Sequence, residues 1–274
     1  AYPSTNLANF RTAGQNFITP MQLFPAFHDD TVKNLSPVSA TPIPAAQGGV
    51  KDLQLALDAL FNHPNTAPFI SKLLIQRLVT SNPSAGYVHR VARVFADNGR
   101  GVRGDLGAVV TAILTDYEAR SPAVAATASF GKLKEPLLRA TALLRAFDGA
   151  SNLGRYANAP FHVSINTESA LAQAPLHAPT VFNFFEPNYV QPGALAASGL
   201  YAPEYQLLND TTAISQPNQL WNFIYANRST TNTIETTVGI RLDRLLPLAR
   251  TPQALVDQAN LILAAGALPK AVTD

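Results

Sequence analysis

The chain has 274 residues, of which 47% are hydrophobic and only 14% are charged, and its formal net charge is +2 at pH 7. Soluble domains average about 25% charged residues, so this composition suits a protein that works outside the cytoplasm or packs against a partner. No run of Lys or Arg is dense enough to bind nucleic acid, and the absence of Cys excludes disulfides, cysteine nucleophiles, iron–sulfur clusters and Cys-ligated zinc.

Residues 1–50 are predicted to form an irregular N-terminal arm. Prolines punctuate it, Gly48-Gly49 closes it, and a short strand is expected around Phe17-Ile18. The chain opens on Ala1-Tyr2-Pro3 without an initiating Met, and we interpret it as a processed or truncated piece of a longer protein. No apolar stretch in the sequence approaches the roughly 18 residues that a membrane span needs.

Residues 51–120 are predicted to form an array of four short helices, since apolar side chains recur there at helical spacing. Asn62-His63-Pro64, Asn82-Pro83 and Asn98-Gly99 separate the four runs, and Ser84 and Asp105 precede the third and fourth. None of the runs is long enough to be a stable helix alone, so they should pack together. The side chains expected to face inward are Leu53, Ala56, Leu57, Leu60 and Phe61, then Phe69, Ile70, Leu73, Leu74, Leu78 and Val79, then Val88, Val91, Ala92 and Phe95, then Leu106, Val109, Val110, Ile113 and Leu114.

Residues 121–274 are predicted to continue the same domain as helices joined by long loops. A low-charge linker at 121–130 precedes a helix at 133–147, and residues 150–200 are irregular apart from a short helix at 179–185. Further helices are expected at 204–213 and 218–226, and a last one begins at Thr251-Pro252 and ends at Gly266. The predicted fold class is therefore all-α: an irregular multi-helix domain with long Pro- and Asn-rich loops.

Several short phrases, in this order and spacing, closely resemble the C-terminal half of the bacterial family catalogued as domain of unknown function 1800. The phrases are His28-Asp29 with Lys33, 63–70 (HPNTAPFI), 78–83 (LVTSNP), 104–106 (GDL), 132–136 (KLKEP), 178–185 (APTVFNFF), 187–189 (PNY), Pro192-Gly193 and Ala202-Pro203-Glu204. The resemblance implies a large, predominantly helical, exported bacterial protein and carries no established activity or catalytic residue. Where the family tends to have a Pro-Gly turn after the His-Asp pair, this chain has Asp30-Thr31.

His28-Asp29-Asp30 is the best local candidate for a metal site. An imidazole beside two carboxylates could bind a divalent cation or act as an acid–base pair. The alternative is a solvated turn, because adjacent side chains of an extended segment point to opposite sides. No cofactor is predicted beyond this possible divalent metal.

The segment from His177 to Tyr189 is the candidate catalytic region. His177 and Glu186 could do acid–base work, and the surrounding aromatic and amide side chains suit a carbohydrate. The alternative is that Val181, Phe182 and Phe185 anchor a long loop on the helical core, as dense aromatics usually do.

Two groups of basic residues also need an explanation. Their members are Arg77, Arg90, Arg93, Arg100 and Arg103 in the helical array, and Lys132, Lys134, Arg139 and Arg145 on the following helix. The first group could bind an oxyanion if it converges, or pair with Asp97 and Asp105. The second could meet Glu135, Asp148 or an acidic surface.

The leading functional prediction is a structural or interaction component of a cell-surface or periplasmic assembly, with a protein partner and an extracytoplasmic location. One alternative is an exported hydrolase, possibly metal-dependent, acting on a polysaccharide or an ester. It would use His28, Asp29, Asp30, His177 and Glu186. The other alternative is a carbohydrate-binding module that uses the rings of Tyr189, Trp221 and Tyr225.

Overall fold

The computed structural model of the chain describes residues 31–149, 171–174, 178–181, 183–226 and 240–273. Regular structure in these ranges is helical, and two isolated β-bridges, Lys33–Ile43 and Thr180–Asn183, accompany it. The all-α prediction is therefore confirmed. None of the helices in the described ranges combines the length and the apolar character that crossing a membrane requires.

The helices are numbered here in chain order. They are α1 Gly49–Asn62, α2 Thr66–Leu78, α3 Ala85–Ala96, α4 Leu106–Thr115, α5 Tyr117–Arg120, α6 Pro122–Ala125, α7 Pro136–Ala146, α8 Ala194–Ala197, α9 Asp210–Ala226, α10 Pro252–Ala264 and α11 Lys270–Thr273. Two 3-10 helices, Pro203–Leu207 and Leu246–Leu248, lie on either side of α9.

Helices α2, α3 and α4 pack on one another and form the main hydrophobic core. Its buried members are Ala67, Ile75, Tyr87, Val91, Phe95, Val109 and Ile113. The predicted caps start α3 and α4 as expected, because the Ser84 hydroxyl accepts from Tyr87 N and the Asp105 carboxylate accepts from Ala108 N. Burial of this apolar surface stabilises three helices that are too short to persist alone.

Helix α1 departs from the prediction, because its apolar stripe faces solvent. Leu53, Leu57 and Leu60 are 47%, 51% and 53% exposed, and the expectation that they point inward is wrong. The same expectation is wrong for four residues of α2 and α4 that are also exposed: Phe69, Leu78, Leu106 and Leu114. Helix α1 instead meets the array near its C-terminal end, where the Phe61 and Phe95 ring centroids lie 6.2 Å apart. Helical spacing identified an amphipathic helix correctly but could not say what its apolar side faces.

The second half differs from the prediction at two elements. Residues 179–185 form no helix in the part of this segment that is described; Thr180 and Asn183 form a bridge, and Asn183 has φ 72°, which a right-handed helix does not allow. The prediction of one continuous helix over 204–213 is also wrong. A 3-10 turn ends at Leu207 and α9 starts anew, because the Asn209 side chain accepts from Thr212 N while the Thr212 hydroxyl accepts from Asn209 N.

Candidate functional site

Three of the short phrases noted in the sequence meet in space beside α2. Thr80-Ser81-Asn82 follows α2, the segment at 131–135 precedes α7, and Ala202-Pro203-Glu204 opens a 3-10 helix. The Asn82 amide exchanges two hydrogen bonds of 2.9 Å with the backbone of Tyr201, and the Thr80 hydroxyl accepts from Gly131 N at 3.0 Å. Polar side chains at the end of one helix thus hold two distant loops.

A buried ion pair lies at the centre of this junction. Lys132 Nζ is 2.9 Å from Glu204 Oε1, and the two side chains are 12% and 1% exposed. The ammonium also donates to the Arg77 carbonyl at 2.8 Å, and the Ser81 hydroxyl donates to Glu204 Oε2 at 3.4 Å. Burying two charges is tolerable only with such close pairing and additional hydrogen bonds.

Glu135 adds a second carboxylate on the same ammonium, 3.9 Å from Lys132 Nζ. It is also 3.9 Å from the Arg77 guanidinium and accepts a 2.6 Å hydrogen bond from Gln173 Nε2. The guanidinium carbon of Arg77 lies 4.1 Å from the centroid of the Phe185 ring, a cation–π contact. The loop that carries Phe185 is therefore fixed against the same cluster.

This polar cluster, defined by Arg77, Lys132, Glu135 and Glu204, joins α2, α7 and two loops. Each of its charged groups already has a partner in the structure. These contacts hold α2, the start of α7 and the two loops together. Arg77 and Glu204 also line a small pocket together with Gln76, Phe185, Pro187 and Pro203. The sequence pattern predicts a basic helix face for Lys132 and indicates no role for Glu204.

Arg90 on α3 centres a second cluster. Its Nε lies 2.8 Å from Asp116 Oδ2, and its Nη2 donates to Asp116 Oδ1 at 2.9 Å and to Glu118 Oε1 at 2.8 Å. The hydrogen bonds from Arg90 hold the pKa of Asp116 below its ordinary value, and the bonds to Asp116 and Glu118 raise the pKa of Arg90. Arg90 therefore pairs with Asp116 and Glu118. The sequence had suggested Asp97 and Asp105 as partners of the arginines in this group.

The Arg90 cluster makes stability depend on pH. Because the pKa of Asp116 is depressed in the folded chain, its contribution is present above its unfolded pKa of about 3.9 and is lost as the pH falls through the folded value. Arg90→Gln should cost about 1 kcal/mol at pH 7, a modest figure because the guanidinium is 39% exposed, and less at pH 2.5. Urea unfolding at both pH values measures this. Arg93→Gln, an exposed arginine on the same helix, is the control, and equal losses at the two pH values would contradict the assignment.

The structure describes only one of the residues proposed for metal binding or catalysis. His28, Asp29, Asp30 and His177 lie outside the described residues, and those predictions stay predictions. Glu186 is exposed, and its backbone N–H donates to Gln206 Oε1 at 2.9 Å. Among the described residues, no group of three or more His, Asp or Glu side chains could hold a metal ion.

The alternative prediction for the loop before Tyr189 is that Val181, Phe182 and Phe185 anchor it on the helical core. This prediction is confirmed for one of the three residues. Phe185 is 3% exposed and packs under Arg77, whereas Val181 is 95% exposed and does not anchor. Phe182 lies outside the described residues. Among its described residues, the loop is attached through the Phe185 ring and through the Pro187 carbonyl, which accepts from Gln76 Nε2 at 3.1 Å.

The aromatic side chains proposed for carbohydrate binding are only partly described. Trp221 on α9 is 64% exposed. Tyr189 is partly buried, and its hydroxyl donates to Gln191 Oε1 at 3.0 Å. The side chain of Tyr225 lies outside the described part, so a shared face of these rings stays a prediction.

A comparison with protein families identifies the family of this chain. The family model described as "Protein of unknown function (DUF1800)" matches residues 5–273. The chain belongs to this family. The comparisons with curated proteins and with solved structures gave no match. The resemblance seen in the short phrases is therefore confirmed, and the polar cluster shows what three of those phrases do in the fold.

Proposed function

We propose that this protein is an extracytoplasmic interaction component and that a helix of a different protein binds along α1. The observation that carries the proposal is an exposed row of four aliphatic side chains. Val50, Leu53, Leu57 and Leu60 are 74%, 47%, 51% and 53% exposed. Contiguous exposed apolar side chains of this kind are typical of protein-binding surfaces.

The spacing of the row specifies the shape of the partner. The four residues, named here the α1 seam, are separated by three, four and three positions, which is the a–d–a–d pattern of a coiled coil. A helix of 14 residues is about 21 Å long, so the α1 seam offers two heptads to one amphipathic helix. The fitting partner segment carries Leu, Ile or Val at the same spacing.

Helix α1 is held at both ends, so the seam is presented in a fixed orientation. At its start, the buried Asp52 forms a 2.8 Å ion pair with Lys33. At its end, Arg103 donates to the Phe61 carbonyl at 3.0 Å, and the Phe61 ring packs on Phe95. A surface that is ordered before binding loses less conformational entropy when the partner docks.

The extracytoplasmic location belongs to the same proposal. It is supported by the low fraction of charged residues, 14%, and by the exported character that the family resemblance implies. The α1 seam supports an interaction role because it offers apolar contact area to a partner.

A photo-crosslinking residue at Leu57, in the protein expressed in its native cell, tests this proposal. We expect it to crosslink to an amphipathic helical segment of one other protein, and the same probe at the exposed, off-seam position Lys51 should give no such adduct. Leu53→Glu, with the probe at Leu60, should reduce the yield about tenfold, since a charge would have to be buried against apolar side chains.

Three results decide the outcome. In the first, an apolar residue of the crosslinked partner segment is changed to Glu. Loss of the adduct would then support the proposal that this segment binds the α1 seam. Crosslinks from Leu57 only to residues 1–30 of the same chain would contradict it, as would crosslinks only to a second copy. An equal yield from Lys51 would show that the contact is non-specific.

A further inference from the structure

Asn98-Gly99 is the one Asn-Gly pair in the sequence, and it lies in the loop between α3 and α4. An Asn that precedes Gly is prone to lose its side-chain amide. The reason is that the next backbone nitrogen can attack the side chain, and Gly has no Cβ to obstruct the approach. Gly99 is exposed and has φ 84°, in the left-handed region that favours Gly. The loop at residues 97–105 therefore carries a reactive pair at the surface.

The reaction of this pair, deamidation, needs no enzyme and only water as a co-reactant. The Gly99 nitrogen forms a bond to Asn98 Cγ, the Cγ–Nδ2 bond breaks, and Nδ2 takes up the Gly99 amide proton and leaves as ammonia. Water then opens the resulting succinimide ring and leaves either aspartate or isoaspartate at this position. A neutral amide that donates hydrogen bonds is thereby replaced by a negatively charged carboxylate that only accepts them.

The folded loop holds both reacting groups. The Gly99 N–H donates to Asp97 Oδ1 at 2.8 Å, so the nucleophilic nitrogen keeps its proton and is directed at a carboxylate. Asn98 Oδ1 accepts from Arg100 N at 3.0 Å, and Asn98 Nδ2 donates to Asp105 Oδ2 at 2.7 Å. Ring closure has to bring the Gly99 nitrogen and Asn98 Cγ within bonding distance, and these hydrogen bonds oppose that movement.

The same loop also holds the C-terminal end of α1. Arg103 Nε donates to the Phe61 carbonyl at 3.0 Å, and Arg103 Nη2 donates to the His63 carbonyl at 3.2 Å. A Cβ added to Gly104 would lie 2.7 Å from the Phe61 ring, so this ring packs directly on the loop backbone. Gly104 N in turn donates to the Phe95 carbonyl at 2.8 Å. A change in the loop conformation therefore reaches the end of α1.

We propose that Asn98 is a site of spontaneous deamidation that the folded loop protects, and that conversion of Asn98 loosens the loop and the end of α1. The product cannot donate to Asp105, and it places a second carboxylate beside the one that caps α4. Hydrogen bonds from Ala108 N and from the Asn98 amide lower the pKa of Asp105, so two like charges meet at neutral pH. This proposal does not rest on the binding of a partner to the α1 seam.

Incubation of the full chain at mildly alkaline pH tests the protection, with peptide mapping and mass spectrometry to quantify the product at Asn98. The reference is the same chain unfolded in guanidinium chloride. We expect the folded chain to react at least about tenfold more slowly, because reaction requires local opening of the loop. Asp97→Ala frees the Gly99 N–H and should raise the folded-state rate several-fold. Asp58→Ala, which removes an exposed carboxylate from α1, is the control and should leave the rate unchanged.

Asn98→Asp reproduces the aspartate product and tests its effect on the fold. We expect faster hydrogen exchange at residues 97–105 and in the last turn of α1, with the exchange of α3 unchanged. Asn98→Ala removes the donor without adding a charge, so its increase should be smaller. Equal deamidation rates in the folded and unfolded chain would overturn the proposal. Exchange in the Asn98→Asp loop that is no faster than in the Asn98→Ala loop would overturn it as well.

Discussion

Replacing Glu204 with Gln is expected to lower the free energy of unfolding by about 3 kcal/mol. The change leaves the Lys132 ammonium, 12% exposed, without the carboxylate that lies 2.9 Å away. Glu135 compensates only in part, because it is 3.9 Å from the same ammonium and already engages Arg77. Urea unfolding followed by circular dichroism measures the loss.

A double-mutant cycle separates the ion pair from simple loss of packing. Lys132→Met alone should also be costly, since it leaves the Glu204 carboxylate buried at 1% exposure. The double variant Lys132→Met with Glu204→Gln removes both charges and should lose clearly less than the sum of the single losses. Strict additivity would show that the charges do not stabilise each other.

Glu186→Gln is the matched control for this prediction. Glu186 is exposed and near Glu204 in sequence, and no ion pair involves it among the described residues. Its replacement should change stability by less than about 0.5 kcal/mol. A loss comparable to that of Glu204→Gln would mean that the polar cluster is not what holds this region.

Local sequence patterns predicted the helices of the array and two of their caps, but not which apolar side chains are buried. Ser84 and Asp105 were recognised as caps, and both accept hydrogen bonds from the first turns of α3 and α4. Val91, Val109 and Ile113 were expected inward and are fully buried. Caps and helical periodicity are properties of a few neighbouring residues, so a single sequence displays them directly.

Burial that depends on a partner from another helix was not predicted. Tyr87 is fully buried next to the expected stripe, because its hydroxyl donates to the Ile113 carbonyl at 2.6 Å. Burial raises its pKa to about 12, so the phenol stays neutral over the physiological range. The acceptor lies on α4, so the sequence of α3 alone does not predict this hydrogen bond.

The polar cluster was beyond the reach of sequence patterns for the same reason. Ser81 and Glu204 are separated by 123 positions and meet only in the folded chain. The phrases that contain Ser81, Lys132 and Glu204 were noted as a group, which was the available signal, but their order along the chain gives no distances. Charge pairing between them is a property of the tertiary structure.

Phe95→Ala is expected to lower the free energy of unfolding by about 3–5 kcal/mol. Phe95 is 3% exposed in the core of α2, α3 and α4, and its ring also contacts Phe61 and lies 5.3 Å from the Arg103 guanidinium. Truncation therefore leaves a cavity in the core and removes the surface on which α1 rests. Thermal and urea unfolding measure the stability loss.

Phe61→Ala removes the same contact from its exposed side and should cost only about 1 kcal/mol, because Phe61 is 42% exposed. Both variants should increase hydrogen exchange in α1 relative to α3, since the contact with Phe95 orients the end of α1. If the α1 seam binds a partner because it is held rigid, Phe61→Ala should also weaken crosslinking from Leu57 while leaving the core folded. Unchanged exchange in α1 and unchanged crosslinking would show that the Phe61–Phe95 contact does not position the seam.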